Sequence, residues 1–219
     1  MQKILVVCAH PDDESLGLGG TLLLHSQKGD KIKVLVITDG ETSRQNQLSS
    51  ISTRQKQCKQ ACKTLGITNV DFLDYKDQSL DTTSVLSLSQ SIEKEISLFN
   101  PSLIYTHFWN DLNQDHRRVF EATKIASRPV PKSSVKELIC FETPSSTEWS
   151  YGEKFSPNYF VDVKKVFNKK LKAISYYEKE LQKYPHPRSV EGITSRAQYW
   201  GSTVGVNYAE AFVKVFEIR

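Results

Sequence analysis

Short apolar runs alternate with stretches of helical period along most of this chain. Ile4 to Cys8 reads as a buried strand, Gly20 to Lys28 as a helix, and Lys31 to Thr38 as a second strand ending in the turn Asp39-Gly40. Residues 51 to 65 then predict a helix stopped by Gly66, Asn69 to Leu73 a third strand, and residues 84 to 99 a helix ended by Asn100-Pro101. Leu103 to Thr106 gives a fourth strand. Strand, helix, strand, repeated, predicts an α/β fold with a mostly parallel central sheet covered by helices on both faces. The Ser-, Thr- and Pro-containing stretch from Pro129 to Pro157 reads as loop elaboration around one strand near Leu138 to Phe141. With no internal repeat or linker, one domain over 1–219 is expected.

Ligands of such sheets bind outside the carboxyl ends of the strands. After strand one come His10, Asp12, Asp13 and Glu14; after strand two, Asp39 and Glu41; after strand four, His107, Asn110, Asp111, Asn113, Asp115 and His116. The first bend is acidic where a dinucleotide-binding protein places its glycines. A different ligand is therefore expected.

Charge narrows the partners. The 29 basic and 25 acidic residues leave a formal charge of +4 spread along the chain, which gives no footprint for nucleic acid or an anionic membrane. The densest basic group, Lys164, Lys165, Lys169, Lys170 and Lys172, falls in a helical stretch and reads as a solvated face. Cys8, Cys58, Cys62 and Cys140 show no disulfide-framework spacing; Cys58 and Cys62 lie one helical turn apart without a second pair to complete a zinc site. No apolar run approaches the ~20 residues that span a bilayer, and no signal core follows the N-terminus. A reduced, cytoplasmic setting without membrane insertion is the expectation.

Imidazole nitrogen and carboxylate oxygen both ligate divalent metals, and catalytic zinc takes three protein ligands with a position left for water. His10-x-x-Asp13 lets two side chains of one turn reach the same ion, and His116, heading the next helical pattern, can supply the third. Asp12 lies between them, free to act as a base toward water on that ion. Each residue also has a plainer reading: Asp12, Asp13 or Asp115 as a helix N-cap, His10 as a hydrogen-bonded structural histidine, Glu14 as a favourable charge at a helix start. Three consecutive acids beside a histidine repel one another without a cation, however, which favours a metal.

These residues carry a resemblance. "AHPDDESLGLGGTL", "TDGE" at 38–41, "NQDHRRV" at 113–119 and "YAEAFV" at 208–213 together resemble the PIG-L/LmbE-like zinc-dependent N-acetylglucosaminyl deacetylases, in order over nearly the whole chain. The resemblance implies a Rossmann-like three-layer fold and zinc, with iron(II) as the other divalent candidate, on His10, Asp13 and His116. It implies Asp12 as the general base activating the zinc-bound water, and Asp115 as a residue orienting its neighbours. Sugar amine and acetate would be the products.

One departure concerns the acid. Many relatives carry a second histidine three residues before the third ligand, where this chain has Asn113, whose amide can donate to an oxyanion but cannot deliver a proton. The candidates for the acid are His186, held between Pro185 and Pro187 beside Arg188, then His107, and Asp12 returning the proton it removed; His186 is preferred. Arg54 falls where relatives place a substrate-contacting arginine, although Gln57 replaces the glutamate that commonly accompanies it. His25, beside Leu22 to Leu24, reads as structural. Trp149, Tyr151, Phe155 and Tyr159 offer either a wall for a pyranose face or loop anchors.

The expected activity is removal of the N-acetyl group from an N-acetylated amino sugar or its conjugate. The alternatives are hydrolysis of another amide in a glycoconjugate or natural product, and a non-catalytic sugar- or nucleotide-binding module. The released group separates the first from the main reading, and metal stoichiometry the second. Relatives often associate, so a homo-oligomer is expected.

Overall fold

Ile4 to Cys8 are wholly inaccessible to solvent, as a strand with helices over both faces must be. In the computed structural model, which describes residues 1–43 and 50–219, this run is β1 (Lys3–Cys8), an interior strand of a seven-stranded sheet. It is followed by α1 (Asp13–Gln27), β2 (Lys31–Thr38), α2 (Ile51–Thr64), β3 (Asn69–Tyr75), α3 (Val85–Phe99), β4 (Leu103–His107), α4 (Gln114–Ala126) and β5 (Glu137–Phe141). A 3-10 turn (Thr147–Trp149), β6 (Tyr159–Asp162), α5 (Phe167–Ile174), α6 (Val190–Thr203) and β7 (Ala209–Glu217) complete the principal elements.

The strand order is β3-β2-β1-β4-β5-β7-β6. The first five strands run parallel, and β7 runs antiparallel to both β5 and β6. Two apolar layers hold the sheet. Leu22 of α1, Cys58 of α2, Phe167 of α5 and Ile193 of α6 pack on one face, and Leu88 and Ile92 of α3 with Val119 of α4 on the other. Each such buried side chain contributes about 1.5–3 kcal/mol. The α/β, three-layer expectation holds, and the β1 and β4 ends open side by side where the strand order reverses.

The helix after β1 starts earlier than its glycines suggest. It begins at Asp13 and breaks at Leu18 (φ −144°, ψ 21°), so the helix expected from Gly20 is its second half. The amides of Gly20 and Thr21 at that restart donate to Glu210 on β7, at 2.8 and 2.7 Å. A Cβ on Gly20 would come within 2.6 Å of Val163 Cγ1, so this glycine permits close helix-to-sheet packing.

The lysine group is not uniformly solvated either. Lys164, Lys165, Lys169 and Lys172 are exposed, whereas Lys170 is buried and its Nζ lies 2.6 Å from Glu210 Oε1. His25 is structural as expected, with Nδ1 at 2.9 Å from Asp30 and Nε2 at 3.2 Å from the Tyr105 hydroxyl. All four cysteines are free and buried.

Candidate active site

The turn after β1 is strained. Asp12 has φ +130°, a conformation that costs a non-glycine residue about 1–3 kcal/mol. Several contacts hold it there. Arg54 of α2 donates from Nη2 to the Pro11 carbonyl at 2.6 Å, the Asp12 amide donates to Glu14 at 3.1 Å, and the His10 amide donates to Asp13 Oδ2 at 2.8 Å. Gly40, after β2, takes φ +70°, and a Cβ there would stand 2.8 Å from Pro11 Cδ. The "TDGE" segment thus leaves room for the "HPDD" turn.

Ligand atoms of His10, Asp13 and His116 all lie within 4.8 Å of one another. His10 Nδ1 faces His116 Nε2 at 3.1 Å, and Asp13 Oδ1, buried and accepting no hydrogen bond, lies 3.6 Å from the same nitrogen. The outer edges of both rings meet carboxylates. His10 Nε2 is 3.0 Å from Asp77 and 3.3 Å from Asp115, while His116 Nδ1 is 3.1 Å from Asp111 Oδ1, close but without the alignment of a good hydrogen bond. Protons on the outer nitrogens, which these carboxylates favour, leave the inner nitrogens as lone pairs that converge with an undonated carboxylate oxygen. That donor set fits a divalent cation. Burial works to raise the Asp13 pKa, but His116, His107 and His10 outweigh it and hold the carboxylate well below the usual range.

Asp115 does not serve its sequence neighbour. Its Oδ2 backs His10 and accepts the Gln78 amide at 2.7 Å, and its Oδ1 accepts the Leu80 amide at 3.1 Å. The residue on His116 is Asp111, which also accepts the hydroxyls of Ser146 and of Thr147 (2.6 Å) and the Asn113 amide at 2.8 Å. Sequence reading placed Asp111 on the rim without a role.

Asp12 sits between two guanidinium groups, Arg188 Nη1 at 3.2 Å and Arg54 Nη2 at 3.4 Å, and both arginines also reach Glu180. Burial pushes the Asp12 carboxyl up, Arg188 and Arg54 pull it back, and the net lies above the ordinary value. Arg54 is only 2 % exposed and further paired with Glu41 at 3.4 Å. The guanidinium is thus ion-paired within the protein, with Glu41 and Glu180 supplying the acids that Gln57 does not. The Asn113 side-chain oxygen accepts the Asp115 amide at 2.9 Å as the N-cap of α4.

A cavity of about 130 Å³ opens over these groups, lined by His10, Asp12, Arg54, Asp77, Asn113 and Arg188 among others. His186 is not among its lining residues. Its Nδ1 accepts the Arg188 amide at 3.1 Å and its ring meets Trp149 edge-on at 5.6 Å, so the neighbour Arg188 enters the cavity in its place. His107 is buried behind the cluster. Its Nε2 accepts the Ala9 amide at 2.9 Å, and burial, with His116 beside it as a lesser cause, lowers its pKa to about 4. It is therefore a poor proton donor at neutral pH. The four expected aromatic residues do not line this cavity either. Glu14, Cys58 and Cys62 form another buried group, but Glu14 already accepts the hydroxyls of Ser15 and Tyr177 at 2.6 and 2.7 Å.

Known proteins resemble this chain in sequence and in fold. The chain is 31% identical over 183 residues to the uncharacterized deacetylase YaiS of Escherichia coli K12, covering 80% of this chain and 90% of that protein. It is 28% identical over 227 residues to the diacetylchitobiose deacetylase of Thermococcus kodakarensis, with 96% and 82% covered. The solved N,N'-diacetylchitobiose deacetylase of Pyrococcus horikoshii has the same fold, with a TM-score of 0.80 at 22% identity over 98% of this chain and 84% of that one. Residues 5–127 match the family model described as PIG-L, GlcNAc-PI de-N-acetylase, and with more than half its length matched the chain belongs to the PIG-L family of de-N-acetylases.

Proposed function

We propose that this protein hydrolyses the acetamide of an N-acetylated amino sugar or a conjugate of one, with a divalent metal, zinc foremost, held by His10, Asp13 and His116. The observation that carries the reading is the convergence of His10 Nδ1, Asp13 Oδ1 and His116 Nε2, backed by carboxylates on the outer ring edges. The metal, when bound, supplies a Lewis acid that polarises the acetamide carbonyl and makes water acidic at that point.

The chain's own residues do the rest. Asp12, in a strained backbone conformation at the cavity and with its pKa raised above the ordinary value, removes the proton from the attacking water as a carbon–oxygen bond forms. The same carboxyl then returns that proton to the sugar nitrogen as the carbon–nitrogen bond breaks, releasing acetate and the amine. Arg54 and Arg188 orient Asp12. With its oxygen engaged at the helix cap, Asn113 has its amide N–H left to donate to the oxyanion. A cavity of about 130 Å³ suits an acetyl group and part of its ring better than a large acyl chain.

The test pairs elemental analysis with amine release from N-acetylglucosamine and N,N'-diacetylchitobiose, in the parent chain and in His10→Ala, His116→Ala and Asp12→Asn. About one divalent ion per chain, lost in both histidine variants but retained in an inactive Asp12→Asn, is expected. A parent chain that binds no ion after reloading with zinc would overturn the reading.

A further inference from the structure

Two of the exposed aromatic side chains, Tyr151 and Tyr199, face a second cavity larger than the one over Asp12. Among the described residues four aromatic side chains are exposed: Trp149, Tyr151, Tyr184 and Tyr199, with Tyr151 at 95% and Tyr199 at 57%. Tyr151 and Tyr199 line a cavity of about 550 Å³, together with Phe155 and Trp200, between the 143–155 segment and α6. Trp149 belongs to the 3-10 turn whose Thr147 and Glu148 form part of the same wall. Exposed aromatic rings are unfavourable in water unless something covers them.

Polar groups are set among the rings. Arg196 reaches Glu142 at 3.6 Å and Glu148 at 3.5 Å, while the Trp200 indole N–H donates to Glu142 at 2.5 Å and so fixes the ring. Flat apolar faces beside a planar donor fork and two carboxylate acceptors suit a pyranose, which has C–H faces and a hydroxyl rim. The volume lies within the range of small-molecule sites and is much larger than the cavity over Asp12. No residue lines both.

The two cavities are nevertheless joined by a short chain of contacts. Glu148, in the wall of the aromatic cavity, accepts the amides of Ser145 and Ser146 at 2.9 and 3.1 Å. Ser146 donates its hydroxyl to Asp111, whose carboxylate faces His116. The segment that shapes the aromatic cavity thus also holds the carboxylate behind a candidate metal ligand.

We propose that the cavity between the 143–155 segment and α6 is a carbohydrate-binding site, separate from the reaction centre, that stacks a pyranose ring on Tyr199 and Tyr151 and bonds its hydroxyls through Arg196 and Glu148. Binding stands on the cavity alone; its effect on turnover rests on the deacetylase reading. The ring is either the distal unit of an extended substrate or a separate sugar.

Cellobiose, which has no acetamide, is the probe, titrated against the full chain by tryptophan fluorescence. Saturable quenching is expected, weakened roughly fivefold to tenfold in Tyr199→Ala and in Tyr151→Ala and retained in Tyr199→Phe, which keeps the ring face. No response in the parent, or a response unchanged in both alanine variants, overturns the proposal whether or not the protein proves to be a deacetylase. KM measured for N-acetylated chitooligosaccharides of increasing length then identifies the source. A rise in Tyr199→Ala confined to longer substrates assigns the ring to the substrate, and unchanged KM values with cellobiose binding still weakened assign it to a separate sugar.

Discussion

Asp111 Oδ1 stands 3.1 Å from Nδ1 of His116, on the ring edge opposite the nitrogen that faces His10. Its carboxylate is itself fixed by Ser146, Thr147 and the Asn113 amide. Burial alone would raise the Asp111 pKa, but His116 and these hydroxyls hold it down at about 2. It is thus ionised throughout the neutral range and faces Nδ1 of His116 as a charge that favours a proton on that side of the ring, the arrangement that leaves Nε2 free for a metal.

Asp111→Asn should therefore weaken metal binding by about 10- to 100-fold while the fold survives, because the amide keeps the shape and loses the charge. Competition with a chromogenic chelator measures this directly. Parent-like affinity would show that His116 needs no carboxylate behind it.

Arg188 bears on the proton chemistry. The Asp12 carboxyl is raised by burial and partly restrained by Arg188 and then Arg54, both of which favour its ionised form. A base must be ionised to act, so kcat/KM should rise with pH through the Asp12 pKa, on a limb above the ordinary value of about 3.9. Removing Arg188 removes part of what favours the anion. Arg188→Ala should therefore move the acid limb to higher pH, read from kcat/KM profiles; movement to lower pH would contradict the arrangement.

How much of this was legible beforehand differs by element, for physical reasons. Ile4 to Cys8 and Val34 to Ile37 are continuous apolar runs within strands of a buried parallel sheet, so their positions follow from composition and length. The antiparallel β7 was not anticipated, because its burial changes along its length from fully buried Ala209–Val213 to half-exposed Lys214–Glu217. The motifs brought His10, Asp12, Asp13 and His116 to one place, but spacing could not say which carboxylate serves which ring. Consecutive helical residues diverge by about 100°, so Asp115 points away from His116 and toward His10, leaving His116 to Asp111. In the "HPR" segment the backbone turns instead of running extended, so that His186 accepts the Arg188 amide while the arginine side chain enters the cavity.

His186 accordingly has a weaker claim on proton delivery than Asp12. Its Nδ1 is engaged by the Arg188 amide and its ring lies against Trp149. His186→Ala should leave most of kcat intact, whereas Asp12→Asn should abolish turnover. General acids contribute about 10²–10⁴-fold, so a loss of that size in His186→Ala, with metal content unchanged, would restore His186 to the role and remove Asp12 from the second half of the proposed reaction.

Glu210 connects stability to the site. One carboxylate, buried in β7, accepts the amides of Gly20 and Thr21 where α1 restarts and pairs with the buried Lys170 at 2.6 Å. Removing one partner of a buried ion pair costs about 3–5 kcal/mol, because the other charge is left without compensation. Glu210→Ala should fall at the upper end, since it also strips the cap from two buried amides, and Lys170→Met should cost less, since the carboxylate keeps both N–H donors. Urea denaturation of the two variants measures the difference. α1 begins at Asp13, so loosening its break at Leu18 should also disturb the metal ligands, and Glu210→Ala should bind metal more weakly than Lys170→Met. Equal stability losses and equal metal affinities would show that the break in α1 is held by packing at Gly20 rather than by this carboxylate.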